Sequence, residues 1–193
     1  VTDYMVKHTK KKNQDFFQIY GINGTSNIIQ AKKINILRID IMLGGAAENK
    51  SWVVNLFRKK TLPVHRIPKV QFLKQYSGKR TQGIVVTFTG KIISDIPSFS
   101  KGANNICLLA MDNVEDPQNL GQIIRTGECA GIDGILIPEH GNVQTTSSVL
   151  QVSQGAFIHL PIYHCGNLHQ QLRTLKKEGF WIIGVENSVK AMQ

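Results

Sequence analysis

Short apolar runs alternate with amphipathic segments along most of the chain. Runs rich in Ile, Val, Leu and Phe predict strands, and apolar residues at three- and four-residue spacing predict helices. Strands are predicted at 34–39, 63–67, 84–89, 106–111, 134–138, within 157–162 and at 180–185. Helices are predicted at 23–31, 48–60, 70–76, 117–130, 146–153 and 167–178. This alternation is typical of an α/β protein, with a parallel sheet in the second half.

The charge divides the chain into two unequal halves. Residues 1–101 hold 18 Lys and Arg against 5 Asp and Glu, whereas residues 102–193 hold 5 against 8. A basic half joined to a mildly acidic half favours two modules, and the basic module suits a polyanion such as RNA. A merely solvated basic surface, or one that binds acidic membranes, is the alternative. The predicted organisation is a flexible basic arm at 1–15, a small α/β domain at 16–90, a linker at 91–105 and a second α/β domain at 106–193.

Several classes of protein are disfavoured by composition. Arg38 and Asp40 interrupt the most apolar candidate span, so no transmembrane helix or membrane partner is expected. No apolar signal core follows the N-terminal lysines, so no secretory signal is expected. Three widely spaced cysteines are typical of reduced packing residues in a cytoplasmic compartment. The histidines lack metal-ligand spacing, and no metal is expected.

The segment after the fourth predicted strand carries the strongest local signals. Asp116 is placed as a helix N-cap, Pro117 as the first helical residue and Gly131 as the helix end. Arg125 projects away from the apolar face and leans toward the N-terminus over Gly121, which has no side chain. With the positive end of the helix dipole nearby, this predicts a site for an anionic or phosphate-bearing ligand. A capped helix with one solvated arginine is the alternative.

The same segment resembles a family motif. Residues 112–126 read Asp-Asn-Val-x-Asp-Pro-x-Asn-x-Gly-x-x-x-Arg-Thr, which resembles the first motif of the SpoU/TrmH-type RNA 2′-O-ribose methyltransferases of the SPOUT (α/β-knot) superfamily. Residues 153–162 resemble that family's Ser-x-Gly-Ala-x-x-x-x-Pro segment, and residues 19–23 resemble the start of its N-terminal domain. The likeness is closest to the bacterial-type large-subunit rRNA guanosine-2′-O-methyltransferases.

The resemblance implies a fold and an activity. The expected fold is a small ribosomal-protein-like α/β RNA-binding domain followed by a SPOUT domain with a Rossmann-like parallel sheet. The expected reaction transfers a methyl group from S-adenosylmethionine to a ribose 2′-OH, in guanosine of large-subunit rRNA, in the cytoplasm. A homodimer is expected for the full-length parent. The family's C-terminal Gly-x-Glu-x-x-Gly and Ser-Leu-Asn-Val-Ser segments do not follow Glu186, so we expect the SPOUT domain in this chain to lack its knot.

The resemblance also assigns roles to residues. Arg125 is expected to position the ribose and phosphate and to stabilise the alkoxide, because a guanidinium does not readily lose a proton. Asn119 is expected to hold substrate, and Glu128 to be structural or to pair with Arg125. The expected cofactor-binding residues, at the end of the last predicted strand, are Gly184, Val185 and Glu186. The expected RNA-binding residues are Lys79, Arg80 and Gln82 of a basic loop, and Lys10, Lys11 and Lys12 of the arm.

Other interpretations remain open at this stage. Phe16, Phe17 and Tyr20 could stack on RNA bases, but core packing is the favoured interpretation. The alternative function is that of a non-catalytic RNA-binding or ribosome-associated protein. A small-molecule enzyme of the Rossmann type is disfavoured, because no Gly-x-Gly-x-x-Gly follows the first strand of the second half.

Overall fold

The computed structural model describes residues 16–59, 61–99 and 105–185. The predicted basic arm, with Lys10, Lys11 and Lys12, lies outside these residues, as does Glu186. Within the described residues, no helix has both the length and the apolar character needed to cross a membrane.

The first half forms a four-stranded sheet with three helices. Its elements are β1 (Phe17–Tyr20), α1 (Ile22–Gln30), β2 (Asn35–Met42), α2 (Ser51–Lys59), β3 (Val64–Ile67), α3 (Lys69–Gln75) and β4 (Ile84–Thr89). The strand order is β1-β4-β2-β3, with β4 antiparallel to both neighbours and β2 parallel to β3. β4 is mostly apolar and is buried at all but one of its positions, as a central strand requires. β1 is an edge strand, which leaves one side of it open to a partner.

The second half forms a parallel sheet, as predicted. Its elements are β5 (Ile93–Ser94), β6 (Leu108–Ala110), α4 (Pro117–Ala130), β7 (Gly134–Pro138), α5 (Ser147–Val152), β8 (Ile162–Cys165) and α6 (Leu168–Lys177). The strand order is β5-β8-β7-β6, and every neighbouring pair is parallel. β5 comes from the segment predicted as a linker, so that segment also adds an edge strand to this sheet.

Two strand predictions are wrong: one strand begins later than predicted, and the other is not formed. Ala156–Ile158 forms a short 3₁₀ helix, because Gly155 turns the chain with a φ of 91°, and the strand begins only at Ile162. Residues 180–185 have no regular structure. Phe180 packs edge-on to Phe99 at 5.3 Å, but Trp181 beyond it is 93% exposed. An apolar run becomes a strand only where a neighbouring strand pairs with it, and no described strand does so here.

The two halves are docked through the side chain of Gln151. Its Oε1 accepts a hydrogen bond from the backbone N–H of Tyr20 at 2.8 Å, and its Nε2 donates to the Tyr20 carbonyl at 3.0 Å. The amide thus satisfies backbone groups on the open edge of β1, where a further strand would otherwise pair. Asn27 Nδ2 donates to the Gln154 carbonyl at 3.1 Å nearby. These bonds place α5 alongside β1.

Close packing continues from this contact into a shared core. An added Cβ on Gly155 would lie 2.8 Å from the Cβ of Asn27, so only glycine allows this approach. The rings of Phe88 and Phe157, one from each half, stack with their centroids 6.2 Å apart. The buried apolar side chains of both halves form one continuous cluster. The relative position of the halves is therefore set by packing as well as by hydrogen bonds.

A buried carboxylate fixes the end of α3 and the loop that follows it. Asp40 is 1% exposed, and its oxygens accept hydrogen bonds from Arg38 Nε at 2.8 Å and from the hydroxyl of Tyr76. Burial, together with the hydrogen bond to Asp40, raises the pKa of Tyr76. Because Tyr76 caps α3, this contact holds the start of the loop that carries Lys79.

Replacing Gln151 with Met should loosen the docking of the two halves. Both backbone groups of Tyr20 would lose their protein partner, which should lower the free energy of unfolding by about 1–3 kcal/mol. Hydrogen–deuterium exchange at the Tyr20 amide, followed by NMR, should become faster. Gln122→Met, at an exposed position of α4, is the matched control. Equal Tyr20 exchange and equal stability in the two variants would show that the amide contact does not hold the halves together.

Candidate functional site

A cleft of about 940 Å³ lies between the two halves of the protein. One wall comes from α4 and from α5 with the turn after it, and the other from β1, α1 and the loop after α3. The lining residues include Arg125, Gln118, Glu128, Ser147, Gln151, His159, Tyr20, Asn27 and Lys79. Polar side chains dominate the lining, to which the second half contributes Arg125 and the first half Lys79. We refer to this cavity as the Arg125 cleft.

α4 begins and ends as its sequence predicts. The carboxylate of Asp116 accepts a hydrogen bond from the N–H of Gln118 at 2.8 Å, and Pro117 is the first helical residue. Gly131 ends the helix in the left-handed conformation, with a φ of 72°. Gln118 and Arg125 lie two turns apart, and both line the cleft, so one face of α4 forms this wall.

The predicted role of Gly121 is wrong. Gly121 is buried, and an added Cβ would lie 2.5 Å from the Cβ of Val152 and 2.8 Å from the carbonyl of Val149. The missing side chain therefore makes room for α5, not for the guanidinium of Arg125. The consequence for the site is indirect: because α5 packs tightly on α4, Ser147 and Gln151 lie close to the Arg125 face.

Arg125 is exposed, and it forms no ion pair with another residue that the structure describes. The predicted pairing with Glu128 is thus not observed, although both side chains line the same cleft. Asn119 is exposed on the first turn of α4 and lies outside the lining of this cleft. The catalytic roles of Arg125 and Asn119 stay predictions, but only Arg125 shares a cavity with the first half.

The basic loop after α3 contributes one cation to the cleft. Lys79 Nζ donates to Gln18 Oε1 at 3.3 Å and lies 5.8 Å from the centre of the Tyr20 ring. Gln82 has a structural task, because its Oε1 accepts a hydrogen bond from the Ile22 N–H at 2.8 Å at the start of α1. Arg80 is exposed outside the cleft. Of the three loop residues predicted to bind RNA, only Lys79 lines the Arg125 cleft.

The loops after β6 and β7 lie at the carboxyl edge of the second sheet and are joined by hydrogen bonds. The Val114 N–H donates to Asn142 Oδ1 at 2.8 Å, and the Val143 N–H donates to the Val114 carbonyl at 2.8 Å. An added Cβ on Gly141 would lie 2.9 Å from Asn113 Oδ1. Ligands of parallel sheets bind outside this edge. These loops are therefore part of the edge that a ligand would meet.

The predicted cofactor residues lie in the irregular segment beyond α6. Val185 is 96% exposed, and an added Cβ on Gly184 would meet no atom within 4 Å. A ligand of the size of S-adenosylmethionine needs walls on several sides, and the described residues around this segment do not supply them. The strand-end argument for Gly184 and Val185 is wrong in this structure, and their binding of a cofactor stays a prediction.

Sequence reasoning did not select several residues of the Arg125 cleft. Ser147, Gln151 and His159 come from α5 and the segment after it, and Asn27 comes from α1. Of the cleft residues that sequence reasoning missed, only Gln118 could have been found from local sequence. It precedes Arg125 by two helical turns and therefore lies on the same face of α4. The others meet Arg125 only because the two halves dock. In the described residues no cluster of three or more metal-ligating side chains is present.

Comparison with known proteins identifies the second half. Residues 107–193 match the SpoU rRNA Methylase family. A Staphylococcus saprophyticus protein named for the TrmH family of tRNA/rRNA methyltransferases is 32% identical over 138 residues, which are 69% of this chain and 55% of that protein. The chain spans a little more than half the length of the curated relatives it matches.

Solved structures agree on the fold. An RNA 2′-O ribose methyltransferase aligns with a TM-score of 0.65 and 20% identity, over 86% of this chain and 60% of its own. An AdoMet-bound rRNA methyltransferase from Sinorhizobium meliloti aligns with a TM-score of 0.63 and 19% identity, over 84% of this chain and 59% of its own. At such identities the likeness establishes the shared fold. The family match itself comes from the sequence: residues 107–193 carry a SpoU methylase domain.

Proposed function

We propose that this protein is an S-adenosylmethionine-dependent RNA 2′-O-ribose methyltransferase. The observation that carries the proposal is the Arg125 cleft, whose lining combines the motif arginine of the SpoU domain with Lys79 and Tyr20 of the basic half. The family of residues 107–193 supports methyl transfer to RNA. Two solved neighbours, one named as an RNA 2′-O ribose methyltransferase and one as AdoMet-bound, support the ribose target and the methyl donor.

The residues of the cleft suit the demands of this reaction. Transfer of a methyl group to a ribose oxygen needs the 2′-OH to be oriented and its developing negative charge to be stabilised. S-adenosylmethionine would supply the methyl group and leave as S-adenosylhomocysteine, and the proton of the 2′-OH would pass to solvent. The planar guanidinium of Arg125 can donate two hydrogen bonds at once to the ribose oxygen and its phosphate, and it stays protonated while doing so. Lys79, on the opposite wall, can neutralise a second phosphate.

We propose guanosine in large-subunit rRNA as the target. The residue motifs that resemble the large-subunit rRNA guanosine methyltransferases support this choice, and the name of the Sinorhizobium meliloti neighbour agrees with rRNA. The names of the curated relatives include both tRNA and rRNA. Mapping of 2′-O-methylation in rRNA and tRNA from cells with and without the gene would distinguish the two targets.

The conservative variant Arg125→Lys should abolish most methyl transfer while leaving the fold intact. An ammonium keeps the charge but cannot form the planar fork, and a loss of about a hundredfold in turnover corresponds to about 2.7 kcal/mol at the transition state. The assay is transfer of labelled methyl groups from S-adenosylmethionine to RNA, beside a melting curve of each variant. Arg173→Lys, at an exposed position of α6, is the control. Near-normal turnover of Arg125→Lys would show that Arg125 is a solvated surface residue without a catalytic role.

RNA binding should depend strongly on salt. About four to six phosphate contacts on single-stranded RNA predict a slope of log affinity against log salt near −3 to −4. Lys79→Gln should make this slope shallower by about 0.7, because one contact is lost. Lys74→Gln is the matched control: it also removes one positive charge, but from α3 outside the cleft, so it should change the salt slope less than Lys79→Gln does. An affinity for RNA that salt does not change would exclude the cleft as a phosphate-binding site.

A non-catalytic RNA-binding protein is the second candidate. The strongly basic first half favours it, because phosphate binding needs only those charges. The two candidates differ in one result: the binding protein would retain salt-dependent affinity for RNA and show no methyl transfer that Arg125→Lys could reduce.

A further inference from the structure

A second cleft, of about 1020 Å³, follows the same boundary between the two halves. β1, the start of β2, the end of β4, the segment around β5, the loop before α5 and β8 form its walls. Its lining residues include Phe16, Lys33, Asn35, Lys91, Asp95, Gln144, Thr145, Ser147 and His164. Phe16 and Ser147 line both this cleft and the Arg125 cleft. The two cavities therefore adjoin at this pair of residues.

The second cleft contains two buried polar atoms that lack a partner. Thr145 Oγ1 and His164 Nε2 form no hydrogen bond with any described residue, although both atoms are buried. Buried polar atoms are nearly always paired, so each unpaired atom needs an explanation. Burial lowers the pKa of His164, although the charge of Glu139 opposes this shift, so the ring is neutral near pH 7. Both residues line the second cleft, so they leave hydrogen-bonding capacity there that water or a polar ligand can satisfy.

The charges and amides of the second cleft suit a nucleotide. Lys33 is exposed at its rim, and Lys91 lies nearby, where it pairs with the exposed carboxylate of Asp95. A surface ion pair of this kind is weak and can be exchanged for a phosphate contact. Asn35 and Gln144 supply side-chain amides, which can both donate to and accept from the edge of a base.

Phe16 stands where the two clefts meet, and its ring is 65% exposed. Phe17, the next residue, turns the other way and packs against Phe88 with ring centroids 5.7 Å apart. Phe16 directly precedes β1 and lines both clefts, whereas Phe17 is the first residue of the strand and packs inward. A large apolar ring held in a polar groove is costly to leave in water but provides a stacking surface for a base.

We propose that the second cleft binds the nucleotide next to the one in the Arg125 cleft, in an unpaired segment of RNA whose base stacks on Phe16. This inference rests on the proposed function and narrows its substrate to RNA that is single-stranded over at least two consecutive nucleotides. Double-stranded RNA cannot bind in this way, because its bases are stacked on one another and are not free to stack on Phe16.

The test uses a fluorescently labelled single-stranded hexanucleotide, and the same hexanucleotide annealed within a duplex, on the whole chain. Phe16→Leu keeps an apolar side chain but loses the ring, and should weaken binding of the single strand about tenfold. Phe16→Tyr keeps the ring and should bind like the unchanged protein. The duplex should bind at least about tenfold more weakly than the single strand, whereas a purely electrostatic site would bind the duplex at least as tightly, because a duplex has the higher charge density.

The charge of the second cleft is tested separately. The double variant Lys33→Gln/Lys91→Gln should make the salt slope shallower by more than 1, since about 0.7 is expected for each lost contact. Lys69→Gln/Lys74→Gln, on α3 and outside both clefts, is the matched control and should change it less. A single-strand oligonucleotide long enough to span both clefts should bind more tightly than a mononucleotide by at least about tenfold.

The outcomes separate this inference from the function on which it rests. If the unchanged protein has no salt-dependent affinity for RNA, both fail. If it binds RNA with the expected slope, but Phe16→Leu and the Lys33/Lys91 variant bind as well as their controls, only the second nucleotide site fails. S-adenosylhomocysteine, added alone, should leave the NMR signals of His164 and Thr145 unchanged. If it shifts them and displaces the hexanucleotide, the second cleft is a cofactor site and the proposal is overturned.

Discussion

The arrangement of this protein depends on one side-chain amide that pairs with the edge of a sheet. Gln151 provides an acceptor and a donor to the backbone of Tyr20, as the next strand of a sheet would do. The adjoining Gly155 allows the approach, and the stacked rings of Phe88 and Phe157 extend it into a common core. An edge strand usually has to be protected from pairing with other chains. Here that protection also sets the position of the basic half.

The candidate site is a consequence of this docking. Arg125 lies on α4, and Lys79 lies in a loop anchored through Tyr76 and the buried Asp40, so neither half contains the site alone. Bringing the two cations to opposite walls of a polar cleft gives a place for the phosphodiester backbone, with a guanidinium to orient the ribose. Electrostatic attraction between the cleft and RNA acts over a distance and tolerates small displacements of the charges. Methyl transfer requires the reacting groups to be held in a fixed orientation, so the docking of the two halves matters more for methyl transfer than for RNA binding.

Sequence reasoning succeeded where short-range interactions decide the structure. The bounds of α4 follow from Asp116, Pro117 and Gly131, and the structure has them as predicted. It failed where distant residues decide. The missing side chain of Gly121 makes room for α5 and not for Arg125, and the bond from Gln151 spans 131 residues without any local signal. Residues 180–185 read as a strand because they are apolar, but a strand also requires a partner.

The most direct test of this account is an NMR titration of the ¹⁵N-labelled chain with a single-stranded RNA hexanucleotide. At 21.5 kDa the backbone amides are accessible to this measurement. If RNA enters the groove between the halves, the signals that shift should be those of Tyr20, Lys79, Arg125 and Gln151, from both halves at the same RNA concentration. Shifts confined to the exposed faces of α3 and α6, with these four amides unchanged, would contradict the account.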